Sequence, residues 1–514
     1  MIAPIEVELK LELPPAAVPQ LRKLPLIRSI EASAKRFKQV SVYFDTDEQK
    51  LRRQGLTLRV RRIGDRYIQT VKATRNANIL VRSEWESEIA DGQPDLAMAR
   101  DTVLNGLLTH KSCRKLKPQF ETRVRRTVFS LERDGAVIAL ALDEGTIKTG
   151  GASMRICEIE LELQQGGQEH LFDVARLLTR ALPVQLGLTS KSERGYRLLH
   201  GEQTAPVKFS AIALAPDMPT REAFREIGRA CLQQIAGNEP ALLKDDAEGV
   251  HQMRVGLRRL RAAIALFSAM LEDPQTEKIK AELKWLTAEL GPARELEVLI
   301  ARVVRPVKQR RSGWDDIPKL SQQFARQRAA ALARARGAIA SERYRLLKIE
   351  IAAWLESGQW ATPRDDLVRD RGAMPIETFA SEQLSLDRRK LRKKAKSFAQ
   401  LDAPRRHKLR IQAKKLRYAA DFFSALFSGK RTGKRREKFL AALEAVQNTL
   451  GDLNDIAVHE SIISAAGIRH RPISRKRAFA AGLLTGREDA RIDAAMAAAE
   501  AALGRFAKAK RYWR

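Results

Sequence analysis

Cysteine is nearly missing from this 514-residue chain: Cys113, Cys157 and Cys231 lie far apart and never form a CxxC pair. That excludes a disulfide framework and a thiolate zinc or redox site. Long hydrophobic runs are missing too. The longest stretches without charge, 181–190 and 262–271, have ten residues, well short of the ~18 that a bilayer span needs. No basic start with an apolar block opens the sequence MIAPIEVELK, so no signal peptide and a cytoplasmic location are expected. The nearest thing to a phosphate loop, 429–434 (GKRTGK), lacks the Walker spacing and the following Ser or Thr. Aromatic residues make up 6% of the chain, and only Tyr418 and Phe422 approach its basic stripes. That argues against base stacking, and so against RNA or DNA as a partner.

What the chain has in excess is positive charge. Ninety-four Lys and Arg face 62 Asp and Glu, a net +32. Residues 1–200 carry 33 basic and 25 acidic side chains, and residues 201–514 carry 61 and 37. Such a field attracts polyanions: nucleic acid, acidic membrane or polymeric phosphate.

Two textures divide the chain. Residues 1–200 read as short runs of period-two alternation, such as IEVELKLEL, LTLRVRR and RICEIELEL, which is the strand signal. Helices are expected at 15–30, 95–110 and 168–182, giving an α+β domain dominated by antiparallel sheet. Residues 201–219 carry Pro206, Pro216 and Pro219 and read as a linker. Residues 220–510 are rich in Ala, Leu, Arg, Lys and Glu at helical spacing and read as an all-α domain.

The helical half repeats itself. HQMRVGLRRLRAAIALF from 251 matches HKLRIQAKKLRYAADFF from 407, and LGPARELEV from 290 matches LGDLNDIAV from 450. Two bundles, at about 220–360 and 375–510, are expected. At ~100° per residue, His251, Arg254, Arg258 and Arg261 share one helical face. His407, Arg410, Lys414 and Arg417 do the same in the second copy. Apolar residues such as Leu257, Leu260, Leu409 and Leu416 lie opposite. Like charges at this spacing repel, so a stripe built twice suggests an anionic ligand, with histidine as an imidazolium beside phosphate. The repeated H-x-x-R-x-x-x-[RK]-[RK]-x-R stripe with LG-x-x-x-[DE] downstream resembles the CHAD domain over about 218–510. The resemblance implies inorganic polyphosphate as a partner of those eight residues.

The strands of the first half segregate charge. Glu6, Glu8 and Lys10 share one face of the first run, and Glu158, Glu160 and Glu162 one face of another; Asp143 ends VIALALD. Basic strands carry Arg59 and Arg61, Lys72, and Arg123 and Arg125, and Lys191 follows. Either these faces meet water, or the sheet closes with its charges inside and its apolar faces covered by helices. Clustered carboxylates are costly without a divalent cation, and hard oxygen ligands suit Mg²⁺ or Mn²⁺.

The order E-x-E-x-K (6–10), YFDTD (43–47), L-R-x-R (58–61), T-x-K (70–72), R-x-E-W-E (82–86), LDEG (142–145), EIELE (158–162) and SKSERGY (190–196) resembles the CYTH domain of the triphosphate tunnel metalloenzymes. The resemblance implies an eight-stranded antiparallel tunnel with charges inside. It makes Glu6, Glu8, Asp143, Glu158 and Glu160 metal ligands, and Lys10, Arg59, Arg61, Lys72, Arg123, Arg125 and Lys191 triphosphate ligands. Lys10, with Glu6 and Glu8, would serve catalysis; Glu84 is a further tunnel candidate. The expected activity is metal-dependent hydrolysis of inorganic triphosphate, with a polyphosphate-binding helical module attached. The alternatives are a class IV adenylate cyclase, a thiamine triphosphatase, or a non-catalytic polyphosphate or nucleic-acid adaptor.

Overall fold

The computed structural model describes residues 5–73, 79–105, 115–202, 205–310, 316–427, 429–468 and 475–513. Contacts divide the chain into two units. Residues 1–205 and 340–358 form one; residues 206–339 and 359–514 form the other.

In the first unit the alternating runs form β1 (Ile5–Glu12), β2 (Lys35–Asp45), β3 (Leu56–Ile63), β4 (Arg66–Ala73), β5 (Val81–Ile89), β6 (Lys117–Arg133), β7 (Ala136–Lys148), β8 (Ser153–Gln165) and the short β9 (Gln185–Leu186). Neighbours run β5-β4-β3-β2-β6-β7-β8-β1, and Ile5–Val7 pair with β5. That pairing closes eight antiparallel strands into a barrel, which removes the open edges of the sheet. The two residues of β9 add to β1 at Leu11 and Glu12. Asp134 and Gly135, both at positive φ, make the two-residue turn between β6 and β7, as right-handed strand twist favours.

Closure turns the period-two pattern inside out. The apolar faces, including Phe44, Leu58, Val60 and Val71, form a core outside the barrel wall. Helix α1 (Glu169–Ala181) buries Leu171, Phe172, Val174, Ala175 and Leu178. Helix α2 (Lys191–Leu199) packs on β6 and β7. The segment expected to be helical at 95–110 forms turns over 95–105, and its remainder lies outside the described residues.

The second unit is helical: α3 (Thr220–Gly237), α4 (Ala247–Leu266), α5 (Pro274–Leu299), α6 (Asp316–Ala340), α8 (Ile376–Ala395), α9 (Ala403–Phe422), α10 (Lys430–Ile468), α11 (Arg475–Asp489) and α12 (Ile492–Lys508). The repeat is literal. Helices begin at 220 and 376, at 247 and 403, and at 274 and 430, the same 156-residue offset each time. One helix departs from the contiguous division expected from sequence: α7 (Glu342–Ser357) falls within the first repeat along the chain but packs in the barrel unit. Among the described residues no helix is long and apolar enough to cross a membrane.

Candidate active site and polyanion-binding face

The barrel encloses a cavity of about 440 Å³. Among the described residues, six carboxylates (Glu6, Glu8, Glu84, Glu86, Glu160, Glu162) and six cations (Lys10, Arg59, Arg61, Lys72, Arg126, Lys191) line it. Strand register explains the set. Lys10 lies opposite Glu160, Glu160 opposite Ala141, Asp143 opposite Glu158, and Lys72 opposite Glu84, so partners in register face the same side. Small residues at Ala139 and Ala141 leave room for the longer acids across the ladder.

Three of the expected metal ligands converge. Asp143, Glu158 and Glu160 bring one oxygen each to within 4.8 Å of one another. Lys191 Nζ lies 2.6 Å from Asp143, 2.5 Å from Glu158 and 2.9 Å from Glu160. Lys10 Nζ lies 3.2 Å from Glu160 and 3.7 Å from Glu158, and Arg194 pairs with Glu158. Burial works to raise Glu158, but Lys191, Lys10 and Arg194 bring it down to about 2. Lys191, Lys10 and Arg126 likewise hold Glu160 well below the usual carboxylate range. Asp143, Glu158 and Glu160 outweigh desolvation and hold the Lys191 ammonium well above its usual range. The all-oxygen donor set fits a hard divalent cation, in the place the Lys191 ammonium takes among the three acids.

Glu6 and Glu8 line the same cavity but stand outside that triad. Glu6 is pushed up to about 8 by burial and by its hydrogen bond with Glu84, against the pull of Lys72. Glu84 is held low by the same bond and by Lys72 and Arg59, against burial. The pair therefore shares a proton that Glu6 carries. Arg59 bonds Glu84 at 3.1 Å, and Arg59 and Arg61 each keep a buried Nε without a hydrogen-bond partner.

Arg123 and Arg125 are not in the cavity. They are 58% and 59% exposed and pair with Glu121 and Glu144 on the barrel exterior. The arginine that enters is Arg126, which grips Asp143 with two 2.7 Å bonds and reaches Glu160 at 2.5 Å. In ETRVRR the inward parity belongs to Thr122 and Arg126, whereas in LTLRVRR it belongs to Arg59 and Arg61.

Two motifs serve the frame. Asp45 of YFDTD accepts from the backbone N–H groups of Thr46, Leu51 and Arg52 and from the Tyr196 hydroxyl. In SKSERGY, Ser190 caps α2 by accepting from Glu193 N, which aims Lys191 inward. Gly195 lies against Phe120, where a Cβ would stand 2.1 Å from the ring.

In the helical unit α4 and α9 pack together, and their stripes merge into one cationic face rather than two. Arg258 acts on both Arg410 and Lys414, and Arg254 acts on Lys414. Burial, then Arg410 and Arg258, bring Lys414 down to about 7. Burial and Arg258 bring Arg254 to about 10. Arg254 Nη1, Arg258 Nε and Arg410 Nε are buried without hydrogen-bond partners. Gly291 of the first LG motif lets Arg254 lie 3.1 Å from where a Cβ would stand. Around this face, Arg294 acts on Arg254 and His251, Asp455 on Arg410 and Lys414, and Asn454 accepts from Arg410 at 3.0 Å.

Not all of the eight stripe residues join. Arg261 is exposed, and Arg417 is tied to Asp421 and Glu444. His407 meets Asn454 at 3.0 Å. His251 is pushed down by burial and then by Arg294, which favours its neutral imidazole in the ligand-free protein.

A closed antiparallel tunnel with charges inside and a duplicated helical unit with one cationic face make up the chain. Family comparison agrees: the CYTH domain matches residues 4–196 and the CHAD domain residues 226–464. The chain is a CYTH domain followed by a CHAD domain. An inorganic triphosphatase of Haemophilus influenzae is 27% identical over 162 residues, 31% of this chain and 45% of that protein; the chain therefore spans about half the length of the curated relative it matches. The CHAD domain of the plant Ricinus communis aligns at 30% identity with a TM-score of 0.50, covering 58% of this chain and 96% of that one. A Hippeastrum protein described as an adenylyl cyclase with dominant triphosphatase activity aligns at 19% identity and TM-score 0.30, over 38% of this chain and 97% of its own. CYTH membership and the triphosphatase relative support an enzyme acting on phosphoanhydrides, in a family that implies a divalent metal.

Proposed function

We propose that the barrel hydrolyses inorganic triphosphate to pyrophosphate and phosphate with Mg²⁺ or Mn²⁺, and that the helical unit holds inorganic polyphosphate. One observation carries the first part: cations on β3 and a member of the carboxylate triad line the same cavity from opposite walls. In the closed strand order β3 is diametrically opposite β8, and Arg59, Arg61 and Glu160 all line the cavity. The described lining balances its acids and cations, which leaves the charge of a triphosphate to be offset. Asp143, Glu158 and Glu160 would hold a divalent ion, which would add positive charge and polarise phosphoryl oxygens.

The protein's own groups do the positioning that phosphoryl transfer needs. Arg59, Arg61 and Lys72 grip the phosphate oxygens, and the partnerless Nε donors of Arg59 and Arg61 gain acceptors. Arg126 and Lys191 fix the triad. Lys10, between Glu158 and Glu160, orients water in line with the terminal phosphorus. Water oxygen bonds that phosphorus as the anhydride P–O bond breaks and pyrophosphate leaves. Phosphate release from triphosphate, ATP and thiamine triphosphate, each with and without Mg²⁺ or Mn²⁺, tests this. Faster release from either of the other two would favour the thiamine triphosphatase or a nucleotide enzyme, and pyrophosphate with cyclic AMP from ATP the cyclase. Release unaffected by a chelator would remove the metal from the mechanism.

The polyphosphate reading rests on the buried, partnerless N–H groups of Arg254, Arg258 and Arg410, donors that a polymer of phosphate oxygens would satisfy. Affinity for polyphosphate should fall log-linearly with salt. RNA of matched charge bound more tightly would favour the nucleic-acid adaptor.

A further inference from the structure

Helix α7 belongs in sequence to the helical half, yet it is built into the barrel unit. By order along each repeat it is the counterpart of α12, which packs on α10 inside the helical unit. The first repeat has given its last helix to the barrel. That helix is enclosed nearly all round: Tyr344, Leu347, Ile349 and Ile351–Leu355 are buried. Its main partners are α1 and β9.

Three polar ties fix its register. The Arg176 guanidinium of α1 forks onto Glu350 at 2.7 and 3.0 Å. Gln168 Nε2 donates to the Glu356 carbonyl at 2.9 Å. Lys348 Nζ, on a side chain 1% exposed, donates to Gln185 Oε1 at 2.6 Å. A lysine is rarely buried so fully without a specific task for its charge.

Gln185 is the first residue of β9 and pairs with Glu12. Two residues on, Gly187 N donates to the Lys10 carbonyl at 2.8 Å. There a Cβ would stand 2.8 Å from Lys10 Cγ, so the segment lies directly on the Lys10 side chain. It then runs through Ser190, the cap of α2, into Lys191. The stretch 185–191 thus presses on one tunnel lysine and carries the other.

We propose that Lys348 is a positioning residue for the tunnel chemistry: by holding Gln185 it fixes the 185–191 segment, and through it the ammonium groups of Lys10 and Lys191. The proposal rests on the triphosphatase reading for its kinetic consequence but not for its geometry. The grip on substrate by Arg59, Arg61 and Lys72 comes from β3 and β4, which pair with β2, β5 and each other. Loosening β9 therefore disturbs the water-orienting side more than substrate binding.

The test uses the full chain. Lys348→Met should lower kcat for triphosphate about tenfold or more while KM stays within about twofold, since small misplacements of catalytic groups are expensive. Lys348→Arg should restore most of the rate. A readout independent of activity is acylation of Lys10 and Lys191 by an amine-reactive reagent, followed by peptide mass spectrometry. Both lysines are buried, at 4% and 8% exposure, and should label slowly in the wild type and in Lys348→Arg but faster in Lys348→Met. The double variant Lys348→Met/Gln185→Leu removes donor and acceptor of this bond together and should behave like Lys348→Met even if the single variant folds poorly. Wild-type kcat and wild-type labelling in a folded variant lacking the ammonium would overturn the proposal. So would a kcat that falls only in step with the unfolded fraction. If the wild type releases no phosphate from triphosphate, the triphosphatase reading fails, and the labelling still decides this one.

Discussion

Arg126 and Asp143 face each other across adjacent strands, paired in register and joined by two parallel 2.7 Å hydrogen bonds. This fork is strongly directional, because a planar guanidinium matches a carboxylate bidentately. Its position makes Arg126 the orienting group of the carboxylate triad. Arg125, one residue away, serves Glu144 on the outer wall.

The two arginines therefore separate cleanly in a kinetic comparison. Arg126→Ala should reduce triphosphate turnover on the order of 10²-fold, the scale of losing one preorganised charge-stabilising donor. Arg125→Ala should stay within about threefold, because exposed pairs contribute little. Equal losses would mean that Arg125 reaches substrate after all.

Removal of metal should be as damaging as removal of a ligand. EDTA should abolish phosphate release and added Mg²⁺ or Mn²⁺ should restore it. Glu160→Gln should cost orders of magnitude in turnover while the circular dichroism spectrum stays that of the wild type. Glu160 is held ionised by Lys191, Lys10 and Arg126 against burial, so it remains a charged ligand through the neutral range. The neutral amide lacks that charge.

The barrel was legible in the sequence because its signals are local. Period two assigns strands, and the ordered motifs name the family that turns the charges inward. Glu84 is a tunnel candidate through its motif, whereas Glu162, which shares the face of Glu158 and Glu160, could equally have only supported the strand. Arg126 was not legible, because ETRVRR offers arginines on both faces and only long-range register chooses between them. The kinship of Arg254 and Arg410 was visible as a repeat. Their convergence was not, since packing of α4 on α9 is tertiary. Arg294 stands in LGPARELEV where the second copy has Asn454, so the repeat gives it no basic counterpart. The departure of α7 to the barrel left no local mark. Buried Lys348 and partly exposed Glu350 look like the charges of any amphipathic helix, and Trp354 like any core residue.

Gly195 gives a stability prediction free of catalysis. A methyl group there would stand 2.1 Å from Phe120 Cε2. Phe120 is itself held between Tyr43, stacked at 4.6 Å, and Tyr196, edge-on at 5.1 Å, so it has little room to yield. Gly195→Ala should destabilise the barrel by about 1–3 kcal/mol or more, the range of overpacking, despite the better helix propensity of alanine. Thermal or urea unfolding of the full chain checks it, and an unchanged midpoint would show that the ring can move.

Lys414 makes polyphosphate binding pH-dependent in a direction that can be fixed in advance. Burial, Arg410 and Arg258 together bring its ammonium from an ordinary 10.5 to about 7. Below pH 7 it is already charged in the free protein, so this group adds no pH dependence there. Above pH 7 it is progressively neutral in the free protein, and bound phosphate would restore the proton by opposing Arg410 and Arg258 with negative charge. Binding then takes up a proton, and affinity falls as pH rises from about 7 toward the ordinary lysine range. Lys414→Arg, charged throughout, should flatten that dependence. Calorimetry of polyphosphate binding to the full chain at pH 8, in buffers of different ionisation enthalpy, reads the proton directly. Uptake approaching one proton in the wild type and markedly less in Lys414→Arg is the expected result. Equal uptake in both would place the titrating group elsewhere, and proton release would contradict the merged cationic face.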